Sequence, residues 1–115
     1  MKLVDSKLFL PTYKLVKQLI EITAKFNRNV RDTLSNNLVN EGLNMLKQVN
    51  HELLTKKFVS NEFKEHIANT LTYLRLSYDT RNLSLNNYSN LVQKIYELNG
   101  LLQDFTKVDQ DLPKS

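Results

Sequence analysis

Residues 73–100 read YLRLSYDTRNLSLNNYSNLVQKIYELNG, and the rest of the chain repeats the pattern found here. After the polar break DTRNLS, apolar residues recur at alternating spacings of three and four: Tyr88, Leu91, Ile95, Leu98, Leu102 and Phe105. That alternation is typical of the buried seam of a helix in a bundle. Ser84, at the end of the break, is placed to cap this helix. The sequence therefore predicts two helices that meet at a polar corner.

Three helices are predicted before this corner, over residues 11–26, 31–54 and 60–80. The first begins at Pro11, which suits a first helical turn because its missing N–H has no partner there. Each carries an apolar stripe at helical spacing. The stripes comprise Leu15, Val16, Leu19, Ile20, Ile22 and Phe26; Leu34, Leu38, Met45, Val49 and Leu53; and Phe63, Ile67, Leu71, Leu74 and Tyr78. Gly42 interrupts the second stripe and would allow a close backbone approach.

Four helices joined by short loops predict an all-α fold, an antiparallel up-down four-helix bundle. We expect residues 10–106 to form the bundle, 1–9 an N-terminal lead and 107–115 a frayed C-terminal tail. The apolar arcs of helices 1, 2 and 4 are wider than a small bundle needs, with Val92 and Tyr96 outside the fourth seam. We therefore expect further copies of the chain to cover this surface.

Composition gives no indication of an enzyme. Cysteine is absent, and neither His51 nor His66 has a second ligand at helical spacing. Phosphate-binding glycine loops and nucleophile motifs are missing as well. The start of the chain lacks the apolar core of a signal peptide. We therefore expect a cytoplasmic protein with no catalytic residue, no metal and no cofactor.

Positive charge is concentrated near the N-terminus. The chain has 16 Lys and Arg against 12 Asp and Glu, and residues 1–33 alone account for its net charge of +4. Lys14, Lys17 and Lys25 share the polar face of helix 1 with Glu21. This face either contacts phosphates or is a solvated surface with local ion pairs, and both interpretations stay open.

The corner also has an electrostatic interpretation. In an antiparallel bundle the helix 1–2 and helix 3–4 junctions lie at one end, so Arg28 and Arg31 would share that end with Arg81, and Arg75 would lie slightly below it. These arginines either form an anion-binding rim or pair with Glu41, Asp32 or Asp79. Glu41 falls on the inner line of helix 2, so it needs a cationic partner or a path to water. Arg75 and Arg81 are the candidate partners.

Residues 73–102 resemble helices 3 and 4 of the accessory variability proteins of diversity-generating retroelements. The shared features are an LRL segment at 74–76, a turn ending at Ser84, a helix led by Tyr88, and Gly100 near its end. Residues 25–46, KFNRNVRDTLSNNLVNEGLNML, are similar to the family's first junction. The matching positions are Phe26, Arg28, Arg31, Thr33 and Leu34.

The resemblance implies a non-enzymatic subunit that forms a pentameric ring of four-helix bundles. It implies binding to a reverse transcriptase and to RNA or DNA in support of mutagenic cDNA synthesis. The residues expected to contact these partners are Lys14, Lys17, Lys25, Arg28, Arg31, Arg75 and Arg81. The alternative is a protein–protein interaction module, like the four-helix bundle proteins encoded in ribosomal RNA intervening sequences, with no retroelement role.

Overall fold

A computed structural model describes the backbone of residues 3–55 and 60–111, and the side chains of residues 7–52, 54 and 61–103. Over these residues there are four α-helices and no strand, an architecture compatible with a four-helix bundle. The helices are α1 (Leu3–Thr23), α2 (Asn36–Thr55), α3 (Ser60–Asp79) and α4 (Leu85–Asp111). A 3₁₀ turn (Arg28–Val30) and a π-helical turn (Arg31–Ser35) precede α2.

One apolar core joins the four helices. Helix α1 packs against α2 and α4, and α3 packs against the same two neighbours. The predicted stripes of α2, α3 and α4 supply most of the core. The fully enclosed members include Leu38, Met45, Val49, Phe63, Leu74, Leu91, Ile95, Leu98 and Leu102. The seam predicted for α4 is thus confirmed between Leu91 and Leu102, whereas the side chains of Leu53 and Phe105 lie outside the described residues.

The predicted start of helix 1 is wrong. Helix α1 begins at Leu3, and Pro11 lies inside it. Leu8 is buried and lies seven residues before buried Leu15, so the apolar stripe continues through the stretch expected as a lead. Pro11 removes one backbone donor from the helix, and the burial of Leu8 offsets that loss.

The end of helix 4 and the exposure of Ile20 also differ from prediction. Helix α4 continues to Asp111, into the stretch expected as a frayed tail, and residues 112–115 lie outside the described chain. Ile20 was expected on the inner half of helix 1 but is 48% exposed. The arc of α1 that its neighbours cover is narrower than the apolar arc in the sequence, and Ile20 lies just beyond it.

Gly42 lies at a close contact between α2 and α1. A Cβ at this position would lie 3.1 Å from Cδ1 of Leu19 and 3.2 Å from Cγ2 of Val16. Gly100 in α4 is the opposite case, since a Cβ there would have no neighbour within 4 Å. The close approach expected at Gly42 is therefore confirmed, and Gly100 has no packing role among the described residues.

This contrast predicts opposite effects for one substitution at the two glycines. We expect Gly42→Leu to destabilise the protein by about 1–3 kcal/mol, because the added side chain overpacks the α1–α2 contact. Gly100→Leu should be neutral or stabilising by up to about 1 kcal/mol, because it removes only the helix penalty of glycine. Urea denaturation followed by circular dichroism measures both. Equal stability of the two variants would contradict the close approach.

Candidate nucleic-acid interface

A hydrogen bond connects the two interhelical junctions. The backbone N–H of Asn27, between α1 and α2, donates to Oδ1 of Asn82, between α3 and α4, at 3.2 Å. Asn82 is itself held by its Nδ2, which donates to Oγ1 of Thr80 at 2.9 Å. Arg28 follows Asn27, and Arg81 precedes Asn82, so chain geometry keeps their Cα atoms within about 16 Å of each other.

Buried residues on both sides hold the first junction in place. Phe26 is 4% exposed, and its backbone N–H donates to the carbonyl of Thr23 at 3.0 Å. Eight residues later Leu34 is buried too, and Oγ of Ser35 donates to the carbonyl of Thr23 at 3.4 Å. Between these anchors Val30 packs against the core, and Arg28 and Arg31 on either side of it are exposed.

The second junction has the hydrogen bonds of a Schellman motif. The N–H of Asn82 donates to the carbonyl of Ser77 at 2.9 Å, and the N–H of Arg81 donates to that of Tyr78 at 3.0 Å. This motif places one residue in the left-handed region, and glycine usually occupies that position. Here the residue is Arg81, with φ of 65°.

An arginine at this position opposes the local backbone preference. A left-handed conformation costs a residue with a Cβ about 1–2 kcal/mol. Arg81 is exposed, so its side chain gains no burial that would offset this cost. Residues held in such conformations occur often at functional sites, where the side chain matters more than the local strain. The backbone therefore singles out Arg81 within the corner.

Arg28, Arg31 and Arg81 form no ion pair with any residue in the part of the chain that the structure describes. We call these three residues the corner arginines. Arg81 also lines an open surface concavity together with the last residues of α3 and the rest of the α3–α4 junction. The lining residues are Tyr78, Asp79, Arg81, Asn82, Leu83 and Ser84.

Arg75 differs from the corner arginines. Its Nε donates to both carboxylate oxygens of Asp79 at 3.1 Å, four residues along α3. Hydrogen bonds to Asp79 and then Tyr88 raise the pKa of Arg75 above its usual value. Its guanidinium therefore already has a carboxylate partner on the exposed face of α3. This is one of the pairings left open by the sequence. A binding role for Arg75 stays a prediction.

The expected partners of Glu41 are wrong. Its Oε2 lies 2.6 Å from Nδ1 of His66, and its Oε1 accepts from Nδ2 of Asn69 at 3.2 Å. Neither Arg75 nor Arg81 contacts it. The Glu41 and His66 side chains are 16% and 23% exposed, so α2 and α3 share a partly buried polar contact. The sequence left open a partner or a path to water for Glu41; the structure gives it two hydrogen-bonding partners on α3 and leaves it 16% exposed.

The lysines of α1 lie on its solvent side. Lys14 and Lys17 are exposed, as is Lys25 in the turn after α1, and the ion pairs with Glu21 suggested by spacing are not formed among the described residues. One cation near them, Lys94 of α4, was not among the residues predicted from the sequence. Its Nζ donates to Oε1 of Gln18 in α1. No periodicity could have identified Lys94, because its position depends on the packing of α4 against α1.

Among the described residues, no group of three or more His, Asp or Glu side chains could hold a metal ion. No helix in the described segments is long and apolar enough to cross a membrane. Neither a protein-family model, a curated protein nor a solved structure matches this chain. The interface must therefore be interpreted from its own geometry.

The strained backbone at Arg81 predicts a gain in stability when it is relieved. We expect Arg81→Gly to stabilise the protein by about 1 kcal/mol, because glycine adopts the left-handed conformation without penalty. Arg81→Ala, which keeps a Cβ, should leave the free energy of unfolding within about 0.5 kcal/mol of the parent. Parallel urea titrations measure the difference. Equal destabilisation of both variants would show that the Arg81 side chain stabilises the fold, and would contradict a strained backbone at this position.

Proposed function

We propose that this chain is a non-enzymatic, nucleic-acid-binding subunit that assists a retroelement reverse transcriptase. The hydrogen bond between Asn27 and Asn82 is the observation that carries the binding proposal, because it joins the two arginine-bearing junctions. Three exposed cations near one another, with no carboxylate partner in the described chain, are suited to bind phosphates. The reverse transcriptase as partner rests on the resemblance in residues 25–46 and 73–102.

The proposal includes an antiparallel up-down bundle, and contacts at two levels support this arrangement. Between α2 and α3, Glu41 contacts His66, and Gln48 donates to Glu62 at 3.0 Å. Residue numbers rise along α2 while those of their partners on α3 fall, as in antiparallel helices. Ser35, just before α2, donates to Thr23 at the end of α1, and Gly42 of α2 faces Val16 and Leu19 of α1. Here too, higher residue numbers on one helix contact lower numbers on the other.

Binding of this kind is electrostatic and tolerant of sequence. Guanidinium groups bind phosphate oxygens through two parallel hydrogen bonds, so arginine is better suited than lysine to fixed contacts. The corner offers cations and amides but no row of exposed aromatic rings on which bases could stack, within the side chains described. We therefore propose contact with the backbone of RNA or DNA, with affinity that falls as salt rises.

Assembly into a ring would strengthen the weak electrostatic attraction of one chain for nucleic acid. Five copies of a chain with net charge +4 carry about +20. Leu85 and Tyr96 are 60% and 62% exposed on one flank of α4, and Val92 lies between them partly buried. We propose that this flank meets a second copy. The same surface supports the alternative function, a bundle that binds only proteins.

Charge reversal at the first junction tests nucleic-acid binding. We expect Arg28→Glu with Arg31→Glu to weaken binding of labelled single-stranded RNA at least about tenfold, because phosphates are then repelled. The matched control is Lys47→Glu with Lys64→Glu, which changes net charge equally on exposed faces of α2 and α3. Fluorescence anisotropy across a salt series measures affinity, and circular dichroism verifies helicity. Equal losses in both pairs would contradict a localised interface.

Sedimentation velocity tests assembly. We expect an oligomer at micromolar concentration, and Leu85→Glu with Tyr96→Glu should shift it to monomer because a buried flank cannot accept two carboxylates. Leu54→Glu, at a position 86% exposed, is the control and should not change the sedimentation coefficient. A monomeric parent would refute the ring while leaving RNA binding by the corner open to its own test.

A further inference from the structure

We propose that the nucleic acid does not end at the corner but continues along the seam between α1 and α4, where Lys94 and Lys14 contact its phosphates. This proposal rests on the proposed nucleic-acid binding and extends it to a second contact surface. It concerns a cation on α4 that the sequence pattern did not connect with the basic face of α1.

Gln18 of α1 connects the two helices of the seam through hydrogen bonds to α4. Its Nε2 donates to Oδ1 of Asn90 at 3.3 Å, and its Oε1 accepts from Nζ of Lys94. One amide thus touches two positions of α4 and brings the Lys94 ammonium onto the surface of α1. Because the acceptor is neutral, the charge of Lys94 is positioned but not offset.

Lys14 extends the positive charge along α1. It lies four residues before Gln18, so the two side chains share a helix face. Lys14 and Lys94 are exposed, and neither forms an ion pair with any described residue. Glu21 and Glu97 flank this row. Glu97 accepts a hydrogen bond from Nε2 of Gln93 at 3.4 Å, and neither carboxylate pairs with a seam lysine.

The seam leads to the corner. From Lys14 to the end of α1 at Thr23 the helix rises about 14 Å. At 3.4 Å per nucleotide along a duplex strand, this length matches about four phosphates. Lys25 and Arg28 follow the end of α1, so cations lie at both ends of this stretch, with Gln18 and Glu21 between them.

The composition of the seam favours nucleic acid over a protein partner. Protein interfaces concentrate aromatic and aliphatic anchors in a desolvated centre. Of the exposed apolar side chains, Tyr13 and Ile20 fall on the other flank of α1 and Tyr96 on the other flank of α4. Leu10, in contrast, lies one turn before Lys14 on the seam side. Along the rest of the seam, lysines and amides, groups that contact sugar and phosphate oxygens, lie beside the carboxylates of Glu21 and Glu97.

Charge neutralisation in matched pairs tests the seam. We expect Lys14→Gln with Lys94→Gln to lower the slope of log affinity against log salt for single-stranded RNA by about 1.4, since each lost contact removes about 0.7. Lys47→Gln with Lys64→Gln removes the same charge from α2 and α3 and should leave the slope unchanged. Both pairs keep polar, helix-compatible side chains, and circular dichroism verifies the fold.

The outcomes distinguish binding along the seam from binding by the corner arginines. Equal slopes for the two glutamine pairs, together with weak binding by the Arg28→Glu, Arg31→Glu variant, would overturn the seam and leave the corner intact. A parent protein that binds neither RNA nor DNA at low salt would overturn both. Displacement of RNA by polyglutamate as readily as by unlabelled RNA would show a site for acidic protein instead, and would overturn the nucleic-acid assignment of the seam.

Discussion

Burial of one narrow apolar stripe per helix constrains every other side chain in this protein. Among the described residues, the enclosed apolar side chains lie between neighbouring helices, from Leu8 in α1 to Leu102 in α4, and at the junctions, where Phe26 and Leu83 are buried. Everything outside these stripes must be solvated or paired, because a small all-helical protein has no second layer. The exposed lysines, the paired Glu41 and the exposed Ile20 all follow from this one limit.

The periodicity of the sequence predicted which residues form the core but not where the helices end. Spacings of three and four identify a helix face regardless of context, so Leu91, Ile95 and Leu98 could be assigned directly. The start of α1 could not, because the local rule for Pro11 favours a helix beginning and the burial of Leu8 overrides it. Local preferences of this size are smaller than the free energy of burying an apolar turn.

The candidate interface was predictable only where it depends on chain order. Two helix connections at one end of a bundle were enough to group Arg28 and Arg31 with Arg81, and the bond from Asn27 to Asn82 is consistent with that grouping. Contacts between helices distant in sequence were not predictable. Lys94 meets Gln18 across 76 residues, and Glu41 meets His66 across 25. Such pairs depend on helix rotation and relative height, which a single sequence does not encode as a spacing.

The contact of Glu41 with His66 and Asn69 has a consequence for sliding between helices. An apolar stripe repeats about every turn, so α2 and α3 could shift by one turn, about 5.4 Å, and still bury leucines. In one direction such a shift would bring Glu41 toward Glu62, one turn before His66, and two carboxylates would then repel each other. In the observed alignment the carboxylate instead has two partners on α3. The polar contacts of Glu41 thus favour one position of α2 relative to α3 along the helix axes, among several positions that would bury the apolar stripes equally well.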